Sequence, residues 1–380
     1  MITIYGKYTN ALVYTVNNEE YALDPHAYKQ LQMICNHPCA QGSTIRVMPD
    51  VHPGKIGTIG LTMTVGDCLL PNLVGVDIGC GMTIAKLKVK ALEFQKLDTV
   101  IRDNVPVGGN IRKSPHKFSS RISLDSLHCY SAIDELKAFR SIGTLGGGNH
   151  FIEVDRGEDG FYYIVVHSGS RHLGVEVTTY YLKAGQKEQQ MKKSGGHPAY
   201  DMTCLSGKLL DSYLHDIAIV QEYAAENRKA IIDEIVRGMK WRITDSYTCI
   251  HNYVDFSGDV PILRKGAIAA DAGKPVIIPI NMRDGILLAT GLGNPQWNCS
   301  APHGAGRIYP RSQVKEHYTV SEFKKEMAGI HSVCVNQNTL DESPFAYRNI
   351  DDIVEVVGDT VKIDQVLKPV YNYKAGADGK

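Results

Sequence analysis

The chain has 380 residues, 43% hydrophobic and 22% charged, and its 41 basic and 41 acidic side chains cancel to a formal charge of zero. That composition belongs to a globular protein with a large core. It excludes attachment to nucleic acid by bulk charge, though not a local basic groove. No apolar run reaches the roughly 18 residues of a membrane span, the N-terminal residues lack a signal-like apolar stretch, and nine cysteines without scaffold spacing fit a reducing cytoplasm.

In chain order, residues 2–23 alternate as short strands. Asp24-Pro25 reads as an N-cap with proline at the first helical position, opening a helix to about Ile34. Cys35-Asn36-His37-Pro38-Cys39 has metal-binding residue types, but no second ligand pair follows at zinc-site spacing. A helix end followed by a loop is the better reading. Residues 91–103 look helical and end before Pro106-Val107-Gly108-Gly109. Residues 109–130 are polar and rich in His, Ser and Arg, as in a surface excursion. Phe161–Val166 reads as a buried strand with His167 at its end. Within 208–238, Leu210, Leu214, Ile217, Ala224, Ile231 and Ile235 form one apolar helical face, in one helix or two. Pro275–Ile280 reads as a strand, and Thr319-Val320-Ser321-Glu322 as a capping box before a short helix.

Chemistry-bearing residues recur beside glycine-rich turns, where backbone can approach a ligand closely. Asp77-Ile78-Gly79-Cys80 sets a carboxylate and a thiol three residues apart. A thiolate can bridge two divalent ions, although a buried cysteine acting as a small hydrophobe is the structural alternative. Asn149-His150 follows three glycines, a loop whose N–H groups suit phosphate oxygens. His167 and His251 read equally as ligands or as satisfied core histidines. His303, in Ser300-Ala301-Pro302-His303-Gly304-Ala305-Gly306-Arg307, suits a nucleophile attacking phosphorus, for which its ring must be neutral. Asp50 in Met48-Pro49-Asp50-Val51-His52-Pro53-Gly54 could orient such a ring. Arg171, Arg283 and Arg307 are candidate phosphate clamps, and the tail Lys368–Gly376 could place a lysine on a base or phosphate. No Walker-type loop, dinucleotide glycine fingerprint or classical ligase lysine motif occurs. The motifs span residues 48 to 307, so one site drawing on them implies one interwoven domain.

The motifs MPDVHPG, VGVDIGCGM, GTLGGGNHFIEV, HSGSRHLG, HNYV and APHGAGR, in that order from about residue 45 onward, resemble the RtcB family of RNA-splicing ligases. The resemblance implies an α+β fold: one RtcB-like domain over residues 1–380, with mixed sheets and a central metal and nucleotide cleft. It implies an enzyme of tRNA splicing or RNA repair that joins an RNA 3′-phosphate or 2′,3′-cyclic phosphate to a 5′-hydroxyl, with GTP and two Mn²⁺ ions, through a histidine–GMP intermediate. An activating protein partner is a further implied possibility. Carried over by motif, Cys80 would bridge the metals, with His150 and His167 completing one site and Asp77 and His251 the other. His303 would take the guanylyl group, oriented by Asp50. Asn149 would contact the GTP phosphates, with Ser300, Gly304, Ala305, Gly306 and Arg307 also at the nucleotide. Phe151, Glu153, Tyr347 and Lys374 would surround the guanine, Glu153 and Lys374 reading its edge.

Thiolate and imidazole donors alone favour zinc or copper, so manganese rests on the resemblance. Two rival readings remain: a metal-dependent phosphoesterase using the same binuclear site, and a non-catalytic RNA-binding module.

Overall fold

The computed structural model of the protein describes residues 1–16, 23–191 and 200–374. The fold is α+β, built on two large sheets. The first has six strands in the order Ile2–Ile4, Ala11–Val13, Ile45–His52, Ile59–Thr64, Ile262–Lys265 and Asn252–Asp255. Its second and third strands run parallel and its other pairs antiparallel. The second has seven strands in the order Ile243–Ile250, Gly81–Leu87, Tyr162–Ser168, Phe151–Arg156, Val361–Lys374, Gly285–Gly291 and Pro275–Asn281. All its pairs are antiparallel, so only the six-stranded sheet is mixed.

Both faces of the seven-stranded sheet are buried at its inner strands Gly81–Leu87, Tyr162–Ser168 and Phe151–Arg156, while the edge strand Ile243–Ile250 is largely exposed. Met82, Ile84, Tyr163 and Val165 pack on one side with Ile277 and Leu287 of the terminal hairpin. The alternate residues Ala85, Leu87, Ile164 and Val166 pack on the other with Ile231 and Ile235. A strand covered on both faces needs no polar alternation, which is why the run from Tyr162 reads as continuously apolar. The six-stranded sheet buries Val47, Leu61, Val254 and Leu263 with Leu31, Ile34 and Ile217 from helices.

The helix Pro25–Cys35 begins where its cap predicts, with the Asp24 carboxylate accepting from the N–H groups of His26 and Ala27. The capping box is formed as expected, with Thr319 and Glu322 bonded reciprocally before helix Val320–Glu326. The helix expected over 91–103 occupies Phe94–Asn104, and the expected strand near 275 is Pro275–Asn281. Part of the strand pattern over 2–23, residues 17–22, lies outside the described residues, as do Ala375 and Gly376.

The segment 109–130 runs over the surface as expected, mostly exposed, but it is anchored from within. Its short turns drop Ile122, Leu124, Leu127 and Cys129 into the main core, because apolar side chains without helical or strand period still find burial through 3₁₀ turns. The HSGSRHLG motif opens a helix, Arg171–Met191, that the sequence reading does not anticipate.

The apolar stretch near 208–238 is one helix, Gly207–Met239. Midway along it, two consecutive polar residues are completely buried. Asn227 accepts from the N–H groups of Gly143 and Thr144 at 2.8 and 3.1 Å, and donates to the Ser168 hydroxyl and the Gly169 carbonyl at 3.1 and 3.0 Å. Arg228 donates to the carbonyls of Gly79 and Ser168 at 2.8 and 2.9 Å and to the hydroxyls of Thr83 and Thr248 at 3.1 and 3.2 Å. One helix turn thus fixes four loops and strand ends.

Replacing Arg228 with alanine strands two buried carbonyls and two hydroxyls. Arg228→Ala is expected to lower stability by about 3 kcal/mol or more, read as an earlier urea midpoint with unchanged slope.

Candidate active site

Strand register brings the ligand-type residues together. Gly81 lies opposite both Ser168 and Ile250, and His167 lies opposite Phe151. Cys80, His150, His167 and His251 therefore emerge at one end of four adjacent strands. Gly79 makes the turn before Cys80 with φ of 70°, a left-handed conformation that suits glycine, and a side chain there would press on the backbone of Gln221. Gly169 allows a close approach: a Cβ would lie 2.0 Å from the Asp77 carboxylate, which also accepts from the Ser170 N–H at 3.0 Å.

The donor atoms form two triads sharing one sulfur. Asp77, Cys80 and His150 have their ligand atoms within 4.8 Å of one another, as do Cys80, His167 and His251. Cys80 Sγ lies 3.5 Å from His150 Nε2 and 3.4 Å from His167 Nε2. Asp77 lies 3.1 Å from His150, and the Nε2 atoms of His167 and His251 are 3.3 Å apart. The geometry corrects the division expected from the motifs. His150 stands with Asp77, and His167 with His251, because His150 precedes strand Phe151–Arg156 on the Asp77 side while His167 and His251 face each other.

The donor set fits cations. The Nδ1 atoms of His150 and His167 sit 2.8 and 3.2 Å from the carbonyls of Leu145 and Asn149, which fixes the proton on Nδ1 and turns the Nε2 lone pair inward. The Nδ1 of His251 is buried without a partner. Burial first, then repulsion among the clustered rings, holds His167 and His251 well below the usual histidine range, so both are neutral. Burial and the Asp77 carboxylate push the Cys80 thiol up. A cation between these lone pairs would relieve their repulsion and reverse the thiol's preference.

Beside the triads, His303 lies with its ring 4.8 Å from that of His251. Its Nδ1 is 2.6 Å from an oxygen of Asp50, and its N–H reaches the same oxygen at 3.2 Å. Asp50 is completely buried. Nδ1–H thereby donates to the carboxylate, which directs the Nε2 lone pair away from Asp50.

The adjoining cleft is lined by Asn149, Phe151, Glu153, Gly304, Ala305, Gly306, Arg307, Tyr347 and Lys374, together with His303, His167 and His251. Asp77, Cys80 and His150 are not part of this lining; they adjoin it through His167, which lies 3.4 Å from the Cys80 sulfur. Ser300 is not part of it: it is completely buried, its hydroxyl accepting from Arg264 and donating to the Asn298 carbonyl. Of the three candidate clamps only Arg307 lines the cleft. Arg171 donates to the Gly108 carbonyl and the Thr144 hydroxyl, and Arg283 pairs with Asp284 and Glu326.

Sequence reasoning missed Glu342, Arg311, Asn372 and His52, all in the lining. Glu342 accepts from Lys374 at 2.9 Å and from Tyr347 at 2.7 Å, and pairs with Arg307 and Arg311. Burial pushes the Glu342 carboxyl up, but Lys374, Arg311 and Arg307 together hold it down at about 2. Asn372 donates to Glu153. Burial lifts the Glu153 carboxyl to about 7, against the opposing pull of Asp155, Asn372 and Lys374. His52 lies with Nδ1 2.9 Å from the Asp50 carbonyl, and burial lowers it to about 4. No local motif marks Glu342 or Arg311; their only sequence signal is charge in an otherwise ordinary segment.

Comparison with known proteins bears on this constellation. The tRNA-splicing ligase RtcB family model matches residues 30–132 and 121–375. The RNA-splicing ligase RtcB of Escherichia coli K12 is 31% identical over 365 residues, covering 86% of this chain and 88% of that protein. RtcB1 of Escherichia coli strain ATCC 25922 is also 31% identical, over 364 residues with the same coverage. The tRNA-splicing ligase RtcB of Aeropyrum pernix is 26% identical over 423 residues, covering 86% and 87%. The match begins upstream of the first quoted motif.

The shared sulfur separates two substitutions. In equilibrium dialysis against a divalent cation, Cys80→Ala is expected to weaken binding at both triads, whereas Gly169→Ala, whose Cβ would meet the Asp77 carboxylate, is expected to weaken only the triad that contains Asp77.

Proposed function

The chain belongs to the RtcB family of tRNA-splicing ligases, and from that premise we propose that it is a metal-dependent RNA ligase joining 3′-phosphate or 2′,3′-cyclic phosphate ends to 5′-hydroxyl ends, with GTP as co-substrate. The observation that carries the reading is the buried Asp50–His303 pair beside two triads that share Cys80. A hydrolase working through two metals has no need of an oriented imidazole whose outer nitrogen is left free. The family match likewise disfavours the phosphoesterase and the non-catalytic module.

In this reading Asp77, Cys80 and His150 hold one divalent cation and Cys80, His167 and His251 the other, with Mn²⁺ as the working ion. Such cations supply charge neutralisation at phosphate oxygens. His303 Nε2 attacks the α-phosphorus of GTP; the Nε2–P bond forms as the bond to pyrophosphate breaks. Asp50 keeps the Nδ1 proton and stabilises the positive ring that results. The guanylyl group then passes to the RNA 3′-phosphate, freeing His303. Attack by the 5′-hydroxyl forms the new phosphodiester and expels GMP. A cyclic phosphate is first opened by water.

The cleft supports guanine binding by division of labour. Phe151 offers an apolar face and Glu153 an acceptor for the N–H groups of the guanine edge. Lys374 and Tyr347 are already bonded to Glu342, so Lys374 meets the base from within an ion-pair network rather than as a free cation. We take residues 1–380 as one ligase domain, since the site draws on residues from Asp50 to Lys374. The RNA in question, the need for an activating protein and a cytoplasmic setting belong to the same proposal. Among the described residues no helix is long and apolar enough to cross a membrane.

With Mn²⁺ and α-labelled GTP, the purified chain is expected to take up acid-labile label, His303→Ala none, and Asp50→Asn at a rate roughly 10²–10⁴ lower. Phosphate-ester hydrolysis by an Mn²⁺-loaded chain that never becomes labelled would overturn the ligase reading.

Glu153 generates a pH dependence. With its carboxyl raised to about 7, it is increasingly protonated below that pH and can no longer accept both guanine N–H groups. The KM for GTP in the labelling step is expected to be flat above pH 7 and to rise below it, at most about tenfold per pH unit. Glu153→Gln should raise KM throughout and abolish the dependence, as steady-state labelling across pH 5.5 to 8.5 would show.

A further inference from the structure

Away from the cleft, three thiols meet. Cys39, Cys68 and Cys204 have their sulfurs within 4.8 Å of one another, and none is in a disulfide. They come from three separate places in the chain. Cys39 sits in the 3₁₀ turn Pro38–Ala40 that follows the first helix. Cys68 begins a two-residue strand, Cys68–Leu69, paired antiparallel with Leu205–Ser206. Cys204 immediately precedes that partner strand, which leads directly into helix Gly207–Met239. Cys39 is buried, and the other two are half-buried.

We propose that Cys39, Cys68 and Cys204 form a three-thiolate site for zinc, separate from the active site. Zinc–sulfur bonds of about 2.3 Å in tetrahedral geometry require sulfurs about 3.8 Å apart. The observed cluster meets that after shifts well within rotamer adjustment. Soft thiolates select zinc over the hard cations of the nucleotide chemistry. His37 stands beside Cys68, and the bond to its Nδ1 from the Cys39 N–H at 3.2 Å leaves the ring proton on Nε2. The imidazole therefore offers no lone pair to the metal and is not a fourth ligand. The exposed side of Cys68 and Cys204 leaves the fourth position to water. On binding, the thiols release their protons to solvent as the Zn–S bonds form.

The tract from Cys35 to Cys39 thus contributes one ligand after all, Cys39. The missing partners are not at motif spacing; the fold delivers them from 29 and 165 residues further along the chain, as the residue numbers give. Cys35 takes no part and packs in the core. The ion would join the first helix's exit turn, the short ladder of Cys68–Leu69 with Leu205–Ser206 and the entry to the long helix.

The test must separate this site from the thiol of the triads, so it uses full-length protein carrying Cys80→Ala. Reduced, metal-stripped Cys80→Ala chain is exposed to zinc alone, passed over a desalting column and analysed for bound metal. Substitution with cobalt provides thiolate-to-metal charge-transfer absorption as a second readout. One tightly held zinc per chain and a cobalt–thiolate band are expected. Both should vanish when either Cys68→Ser or Cys204→Ser is added, each checked for native circular dichroism. Absence of retained zinc in Cys80→Ala, or undiminished zinc and cobalt–thiolate absorption in the folded double variants, would overturn the proposal. In the otherwise wild-type chain, Cys68→Ser is expected to leave labelling by GTP at Mn²⁺ saturation within about twofold at 25 °C while abolishing the zinc-dependent rise in melting temperature. A zinc-dependent rise that persists in Cys68→Ser would equally refute it.

Discussion

Everything at the site depends on two consecutive side chains of one long helix. Asn227 and Arg228 are fully buried, and between them they hold the backbone at Gly79, Gly143, Thr144, Ser168 and Gly169. Burying a guanidinium is costly unless its donors are bonded, and here two carbonyls and two hydroxyls take four of them. The bonds run to the turn before Cys80, the end of the strand carrying His167 and the glycine beneath Asp77. A helix turn is rigid where loops are not, so these ligands inherit its precision.

That arrangement explains which parts of the site were legible in the sequence. Asp77, Cys80, His150, His167 and His303 stand beside glycine turns because backbone must approach backbone there, and that pressure leaves a local mark; His251, between Ile250 and Asn252, has none. The pairing of ligands left none. Which histidine stands with Asp77 follows from register between strands and from the helix behind them, and neither can be read along a single segment. Ser300 shows the opposite error. It lies three residues from His303, yet strand Ser300–Pro302 turns its hydroxyl into the interior, where Arg264 takes it. Glu342 and Arg311 escaped notice because their importance is wholly tertiary.

The fold shows the same division. Caps and long apolar periods were readable: the Asp24 cap, the Thr319 box, and the face of Gly207–Met239. The helix Arg171–Met191 was overlooked although Leu173, Val177 and Tyr181 recur every four residues and are all buried. Its opening residues carry a motif suggestive of chemistry, and polar residues along the rest dilute the period. The surface course of segment 109–130 was legible, but its anchoring was not, for a related reason. Four buried apolar residues scattered among polar ones have no period at all, yet they are what fastens the segment.

The position of strand Val361–Lys374 has a consequence for how the protein comes into being. It is the last of the described strands, yet it lies inside the seven-stranded sheet, between Phe151–Arg156 and Gly285–Gly291. During synthesis the strands bearing Cys80, His150 and His167 can pair early, but the terminal hairpin has nothing to join until residue 361 and those after it have emerged. The cleft wall that ends in Lys374 therefore closes only after residue 374 has emerged, and a chain broken off before residue 361 would carry Asp77, Cys80 and the neighbouring histidines without a complete pocket beside them. A ribosome that stalls before that point releases an inert product, not a partially active ligase loose among RNA ends.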